Sequence, residues 1–250
     1  MEYNRPVVLS IAGFDPSGGA GVLADVKTFE QYRCLGFGVV TALTVQTEGA
    51  FYKTVWQPIE IIIDQCEPLF NQYKIDVVKI GIVESLDVLL SLINWLKNKN
   101  EKVKIIWDTV LAASAGSSFI SSIDNAVLSD ILKKVYLITP NSVEACRLAG
   151  GEDARQSALL LSAHCNIYLK GGHLVKEKGV DFLYGCGKIT PFVPSANNLP
   201  QKHGSGCILS SAIASNIALE MPLEDACTLA KNYIEKLLKS NKNLLAYHVQ

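Results

Sequence analysis

A thiol, a lysine, three carboxylates and two amides stand just after the apolar runs of this chain: Cys207, Lys170, Asp15, Asp108, Glu144, Gln46 and Asn141. Two glycine-rich turns frame them. One is Ala12-Gly13-Phe14-Asp15-Pro16-Ser17-Gly18-Gly19-Ala20-Gly21, the other His203-Gly204-Ser205-Gly206-Cys207, and each opens an apolar-periodic segment. Glycine lets backbone N–H groups approach a ligand, and a helix N-terminus leaves several of those donors unpaired with partial positive charge behind them. Two such cradles predict a substrate held on one and phosphate on the other. Gly204, Ser205 and Gly206 would offer consecutive amides to a transferring phosphoryl group. A G-x-G-x-x-G turn with an acid downstream and a G-x-x-x-x-G-K-[ST] loop are both missing from the sequence, so the two generic nucleotide motifs do not apply.

Each candidate also has a structural explanation. Asp15 before Pro16 starts a turn, Gln46 finishes a strand, Asp108 accepts from nearby amides, and Glu144 complements a helix dipole. Their common place after strands favours function, because ligands of open α/β sheets collect at the carboxyl ends of the strands.

The elements that must carry these residues alternate. Apolar runs of strand length fall at 7–12, 38–45, 51–56, 77–80, 104–107, 135–138 and 166–169. Helical periodicity falls between them at 21–32, 59–71, 86–96 and 124–133, and Ser142 is expected to cap the helix that carries Glu144. After Lys170 the alternation stops: 181–184 and 188–193 read as a hairpin, and 206–219 and 223–238 as two successive helices. This pattern predicts a single α/β domain over 1–250 with a mostly parallel central sheet.

With 250 residues, 49% hydrophobic, the chain has enough length to bury a sizeable core. A formal net charge of −1 with scattered basic residues lacks the footprint of a nucleic-acid binder. The N-terminus shows no signal-peptide pattern and no run approaches the length that spans a bilayer, so a cytoplasmic protein with no membrane partner is expected. Seven cysteines without C-x-x-C spacing argue against a disulfide framework and a zinc knuckle, leaving most as small buried hydrophobes.

The chain resembles, nearly end to end, the phosphomethylpyrimidine kinases of thiamine biosynthesis, within the ribokinase-like superfamily. The resemblance is carried by the first glycine turn followed by Ala24-Asp25-Val26-Lys27-Thr28-Phe29, by Thr41-Ala42-Leu43-Thr44-Val45-Gln46 and by Val78-Lys79-Ile80-Gly81. Asp108-Thr109-Val110, Thr139-Pro140-Asn141-Ser142-Val143-Glu144-Ala145, Leu169-Lys170-Gly171-Gly172-His173 and the terminal glycine turn complete it in the same order. It implies a three-layer α/β/α sandwich, a homodimer, and ATP-dependent phosphorylation of the hydroxymethyl group of 4-amino-5-hydroxymethyl-2-methylpyrimidine, commonly followed by a second transfer to the monophosphate.

By the same resemblance, Gln46 recognises the aminopyrimidine edge, for which an amide offers both a donor and an acceptor. Gly13, Asp15, Ile82 and Val110 line the rest of that pocket. Asn141 and Glu144 organise Mg²⁺ and phosphate, Asp108 lies on the metal side, and Lys170 balances phosphate charge beside Gly204, Ser205 and Gly206. Cys207 stands at the position of the catalytic base; its thiol, with an ordinary pKa of about 8.5, is mostly protonated at neutral pH, although a helix N-terminus could lower that value, and the rival reading makes it a compact pocket-lining residue. His203 caps or gates the turn.

Four positions depart from the family pattern: Leu23 for glutamine, Phe14 for a small residue, Ser205 for threonine, and Ser114 where a lysine usually stands. Loss of that lysine predicts that the first phosphorylation is favoured over the second. Two other functions remain open on sequence: a pyridoxal or pyridoxine kinase of the same architecture, against which Gln46 and Cys207 argue, and a catalytically silent pyrimidine or nucleotide sensor, against which Lys170, Glu144 and the terminal turn argue.

Overall fold

A computed structural model describes residues 5–112, 119–120, 122–173, 179–185, 187–196 and 198–248. The elements run β1 (Val7–Phe14), α1 (Gly21–Gln31), β2 (Leu35–Gln46), β3 (Phe51–Trp56), α2 (Ile59–Gln72), β4 (Val77–Ile80), α3 (Leu86–Lys99), β5 (Lys104–Trp107) and α4 (Asn125–Leu132). They continue with β6 (Leu137–Ile138), α5 (Ser142–Ala149), α6 (Ala154–Leu161), β7 (Asn166–Leu169), β8 (Asp181–Gly185), β9 (Lys188–Phe192), α7 (Ser205–Ala218) and α8 (Leu223–Leu238).

The strands form one sheet in the order β3-β2-β1-β4-β5-β6-β7-β8-β9. Pairing is parallel from β2 through β7 and antiparallel at β2–β3, β7–β8 and β8–β9. Alternate side chains feed two cores. Leu9 and Ile11 of β1 join the layer built by α2 to α6, whereas Val8 between them joins the layer built by α1, α7 and α8. The three-layer α/β/α sandwich is therefore as expected.

Two features place the site. The chain leaves β1 for β2 on one side and later enters β4 on the other, so the strand order reverses between β1 and β4, where a crevice opens at the carboxyl ends. Helix α7 packs across β1, β4 and β5, bringing its N-terminus to that crevice. Beyond the end of β1, which pairs with β2 only as far as Phe14 opposite Leu43, the β2–β3 hairpin continues and raises Thr44, Gln46 and Phe51 as a wall.

Three expectations change. The 135–138 run contributes only Leu137–Ile138 to the sheet. Helix α6 has no counterpart in the sequence reading, although Asp153 accepts from the Gln156 amide at 2.8 Å, a cap signal with glutamine three residues on. The helix with Glu144 is capped by Asn141, not Ser142, which is its first helical residue. The Asn141 side-chain oxygen accepts from Glu144 N at 2.9 Å while Glu144 Oε2 accepts from Asn141 N at 2.8 Å, so asparagine with glutamate three positions later satisfies two orphan amides at once.

Candidate active site

The two glycine turns meet. Asp15 Oδ2 and His203 Nε2 lie 2.8 Å apart although 188 residues separate them. The other bonds of the same carboxylate are local, accepting from Ser17 N, Ser17 Oγ and Ala20 N at 2.9 Å each. Burial works to raise the Asp15 pKa, but the bonds from His203, Ser17 and Ala20 prevail and hold it below the ordinary value of 3.8. Asp15 thus ties the first glycine turn into shape and locks it to the second. At Gly204 the backbone φ is +72°, and a Cβ there would fall 1.9 Å from Gly19 O. Only glycine lets the turns approach this closely.

Between the turns lies a cavity of about 970 Å³ that receives every site residue predicted from the sequence. Gly13, Asp15, Gln46, Ile82 and Val110 line one part; Asp108, Asn141, Glu144, Lys170, Gly204, Ser205, Gly206 and Cys207 line another. Gln46 Nε2 donates to Thr44 Oγ1 at 2.9 Å, which fixes the amide's direction. Ser114 falls outside the described residues.

The floor is a chain of buried charges alternating in sign. Lys170 Nζ donates to Asp108 Oδ1 at 3.1 Å and lies 3.8 Å from Glu144 Oε2. Thr139 Oγ1 donates to Asp108 Oδ1 at 3.0 Å, and Thr109 Oγ1 to Glu144 Oε2 at 3.1 Å. Asp108 Oδ2 is buried with no hydrogen-bond partner. Burial works to raise the Asp108 pKa, but Lys170 and Lys79 hold the carboxyl below its ordinary range. At Glu144 burial prevails over Lys170 and the Asn141 amide, and the carboxyl is pushed up.

Lys79 and Asp25 extend the chain, and sequence reasoning assigned neither a role. Lys79 Nζ donates to Asp25 Oδ1 and Oδ2 at 3.0 and 2.8 Å and lies 3.9 Å from Asp108 Oδ2, with all three side chains fully buried. Ser10 and Ser211 hydroxyls complete the Asp25 shell. Their signals were a charge inside an otherwise apolar run and a place within two of the motifs that carry the family resemblance. Removing one partner of such a pair strands the other, so Lys79→Met is expected to cost about 3–5 kcal/mol in urea unfolding, with Asp25→Asn in the same chain returning part of it. Phe51 and Phe119 also line the cavity, packed edge-to-face with ring centroids 5.7 Å apart, as does Arg147.

At Cys207 burial pushes the thiol up to about 12; Lys79 pulls the other way, and Asp108 and Asp25 add to the rise. The partial charge of a helix N-terminus does not offset lost hydration beside two carboxylates. The other described cysteines are unbridged, with Cys34, Cys66 and Cys227 buried and Cys146 and Cys165 half-buried; Cys186 lies outside the described residues.

A row of helix-terminal amides beside a part-buried lysine can receive phosphate while an alcohol is seated against the first turn, which puts the molecule among the small-molecule kinases of ribokinase-like fold. The model of the phosphomethylpyrimidine kinase family matches residues 15–250. Hydroxymethylpyrimidine/phosphomethylpyrimidine kinase of Aquifex aeolicus (strain VF5) is 33% identical over 247 residues, covering 95% of this chain and 96% of its own. The crystal structure of phosphomethylpyrimidine kinase from Clostridium difficile 630 superposes with a TM-score of 0.78 at 30% identity, over 93% of this chain and 99% of that one. Pyridoxal kinase from Staphylococcus aureus in complex with ADP has the same fold, with a TM-score of 0.84 at 21% identity over 98% and 94% of the two chains. The chain belongs to the phosphomethylpyrimidine kinase family and is a phosphotransferase.

Proposed function

We infer that this protein transfers phosphate from ATP to the hydroxymethyl group of 4-amino-5-hydroxymethyl-2-methylpyrimidine, and then to the resulting monophosphate, in thiamine biosynthesis. The observation that carries this reading is the junction of the two glycine turns through Asp15 and His203, which gives an aminopyrimidine pocket and a phosphate cradle one shared cavity. Family membership supplies the substrate.

In this mechanism Gln46 pairs with the amine and ring nitrogen of the pyrimidine, while Ile82, Val110 and Phe51 cover its faces and exclude water. The Gly204, Ser205 and Gly206 amides and the α7 N-terminus receive the transferring phosphoryl group, and Lys170 neutralises charge that builds on its oxygens. Cys207, as the thiolate, accepts the hydroxyl proton. The residues present fit Mg²⁺: Asp108 Oδ2, which accepts no hydrogen bond, and the raised Glu144 carboxyl are oxygen ligands that a cation would complete. This ion keeps several waters and needs only one or two carboxylates, and when bound it neutralises phosphate charge. Asn141 Nδ2 adds a donor to phosphate.

One continuous sheet of nine strands among the described residues supports reading 1–250 as a single kinase domain. Exposed Leu43, Val45 and Val55 share one face of the β2–β3 hairpin and support a homodimer. No described helix is long and apolar enough to cross a membrane, which agrees with a cytoplasmic enzyme.

A coupled assay of ADP release tests the assignment. The pyrimidine alcohol should drive turnover and pyridoxine should do so at least tenfold less well by kcat/KM, on the order expected when a buried polar edge goes unpaired. Preference for pyridoxine overturns the substrate, and no turnover with either leaves a sensor. The same assay reads the consequence of serine at position 114: the alcohol is expected to turn over faster than its monophosphate, and equal rates would refute that ordering.

A further inference from the structure

Lys202 immediately precedes the terminal glycine turn, lines the cavity and is only 6% exposed. Its ammonium makes no ion pair with a carboxylate among the described residues. Instead it donates to Asn241 O at 2.8 Å, to Asn241 Oδ1 at 2.9 Å and to Asn243 O. A buried cation satisfied only by neutral oxygens bears a desolvation cost that a merely space-filling side chain would avoid.

The segment it grips is itself ordered by hydrogen bonds. Asn241 Nδ2 donates to Leu245 O at 2.9 Å, Asn243 N to Asn241 Oδ1 at 2.7 Å, and Tyr247 N to Ser240 Oγ at 3.0 Å. It meets both turns: Leu244 O accepts from His203 N at 2.9 Å, and the Leu245 side chain covers Gly19, where a Cβ would come within 2.6 Å of Leu245 Cδ2 and of the His203 ring. The C-terminal segment, the Asp15–His203 bond and the Gly19–Gly204 contact therefore converge on the back of the turn whose front faces the cavity.

We propose that Lys202 is a positioning residue for phosphoryl transfer: its ammonium clasps Asn241 and Asn243 against the base of the 203–207 turn and so fixes the amides that receive phosphate. The proposal rests on the kinase reading for its catalytic consequence, while the clasp itself is a property of the chain.

Lys202→Met and a chain ending at Ser240 test it, each compared with the parent in steady-state kinetics, pyrimidine binding and amide hydrogen exchange. Each change is expected to raise KM for ATP about tenfold and to lower kcat, since a misplacement of about 1 Å can cost 10²-fold. The pyrimidine Kd should stay within about twofold, the Ser205–Cys207 amides should exchange faster, and the combined variant should be no worse than the truncation alone, because both remove one contact. Unchanged KM for ATP and unchanged exchange in Lys202→Met overturn the proposal, as does an equal loss of pyrimidine affinity, which would mark general loosening. Asn241→Ala, which removes one of the three acceptors, gives the same readouts at smaller scale should the larger changes fail to fold. Exchange needs no turnover, so a parent without pyrimidine-dependent ADP release but with a faster-exchanging Lys202→Met turn sinks the kinase reading and upholds the clasp.

Discussion

Lys170→Met is expected to lower kcat by about 10³-fold, with kcat/KM for the pyrimidine falling in step and pyrimidine binding little changed. The lysine reaches the cavity from the end of β7, and its ammonium stands 3.1 Å from Asp108 and 3.8 Å from Glu144. Those two carboxylates hold it charged where burial alone would lower its pKa. A fixed cation in a dry site acts on charge that develops at the phosphoryl oxygens, and methionine keeps the volume while removing the charge. Glu144 would lose its cation and Asp108 would keep only Lys79, 3.9 Å away, so the melting temperature should fall as well. Lys170→Arg separates the effects: it retains charge balance, and kcat that stays low with stability restored assigns the loss to placement of the ammonium. A Lys170→Met variant with parental kcat would remove Lys170 from the mechanism.

Cys207→Ala is expected to lower kcat by roughly 10²- to 10³-fold, within the usual range for a general base, while leaving pyrimidine affinity intact. The pH dependence is the sharper readout. Because burial pushes the thiol up to about 12, the thiolate is scarce near neutrality and grows as pH rises toward that value. The kcat of the parent should therefore climb across the alkaline range, and the climb should vanish in Cys207→Ala. An alanine variant with undiminished kcat, or a parent profile that is flat, makes Cys207 a wall of the pocket rather than the proton acceptor.

The strands were the most legible part of the fold, because a parallel strand buried on both faces reads as a nearly continuous apolar run, as at Val77–Ile80 and Lys104–Trp107. Their polar successors were legible for the same reason: once the runs are parallel, the residues just beyond their carboxyl ends must gather at one edge. Helix α6 escaped because a single short apolar face comes after another helix without a strand between them. Lys79 and Asp25 carried no periodic signal of function, since their meeting depends on β4 lying beside β1 and on α1 and α7 docking over both. The raised thiol of Cys207 has the same origin: position at a helix terminus is written in the sequence, but the loss of water around the sulfur is a tertiary property. Asn141 shows the reverse case, in which one N-x-x-E spacing serves both the helix start and the proposed phosphate side.

The bond between Asp15 and His203 also bears on how the molecule is made. A chain emerging from the ribosome can assemble its early βαβ units, but the half-site at Asp15 waits for a partner 188 residues further along. Until α7 arrives, the face of β1, β4 and β5 that it covers stays bare, and no unfinished copy can hold both reactants. Competence for catalysis is thus acquired in one late step, and the long-range closure that delays folding also ensures that chains cut short before α7 stay inert.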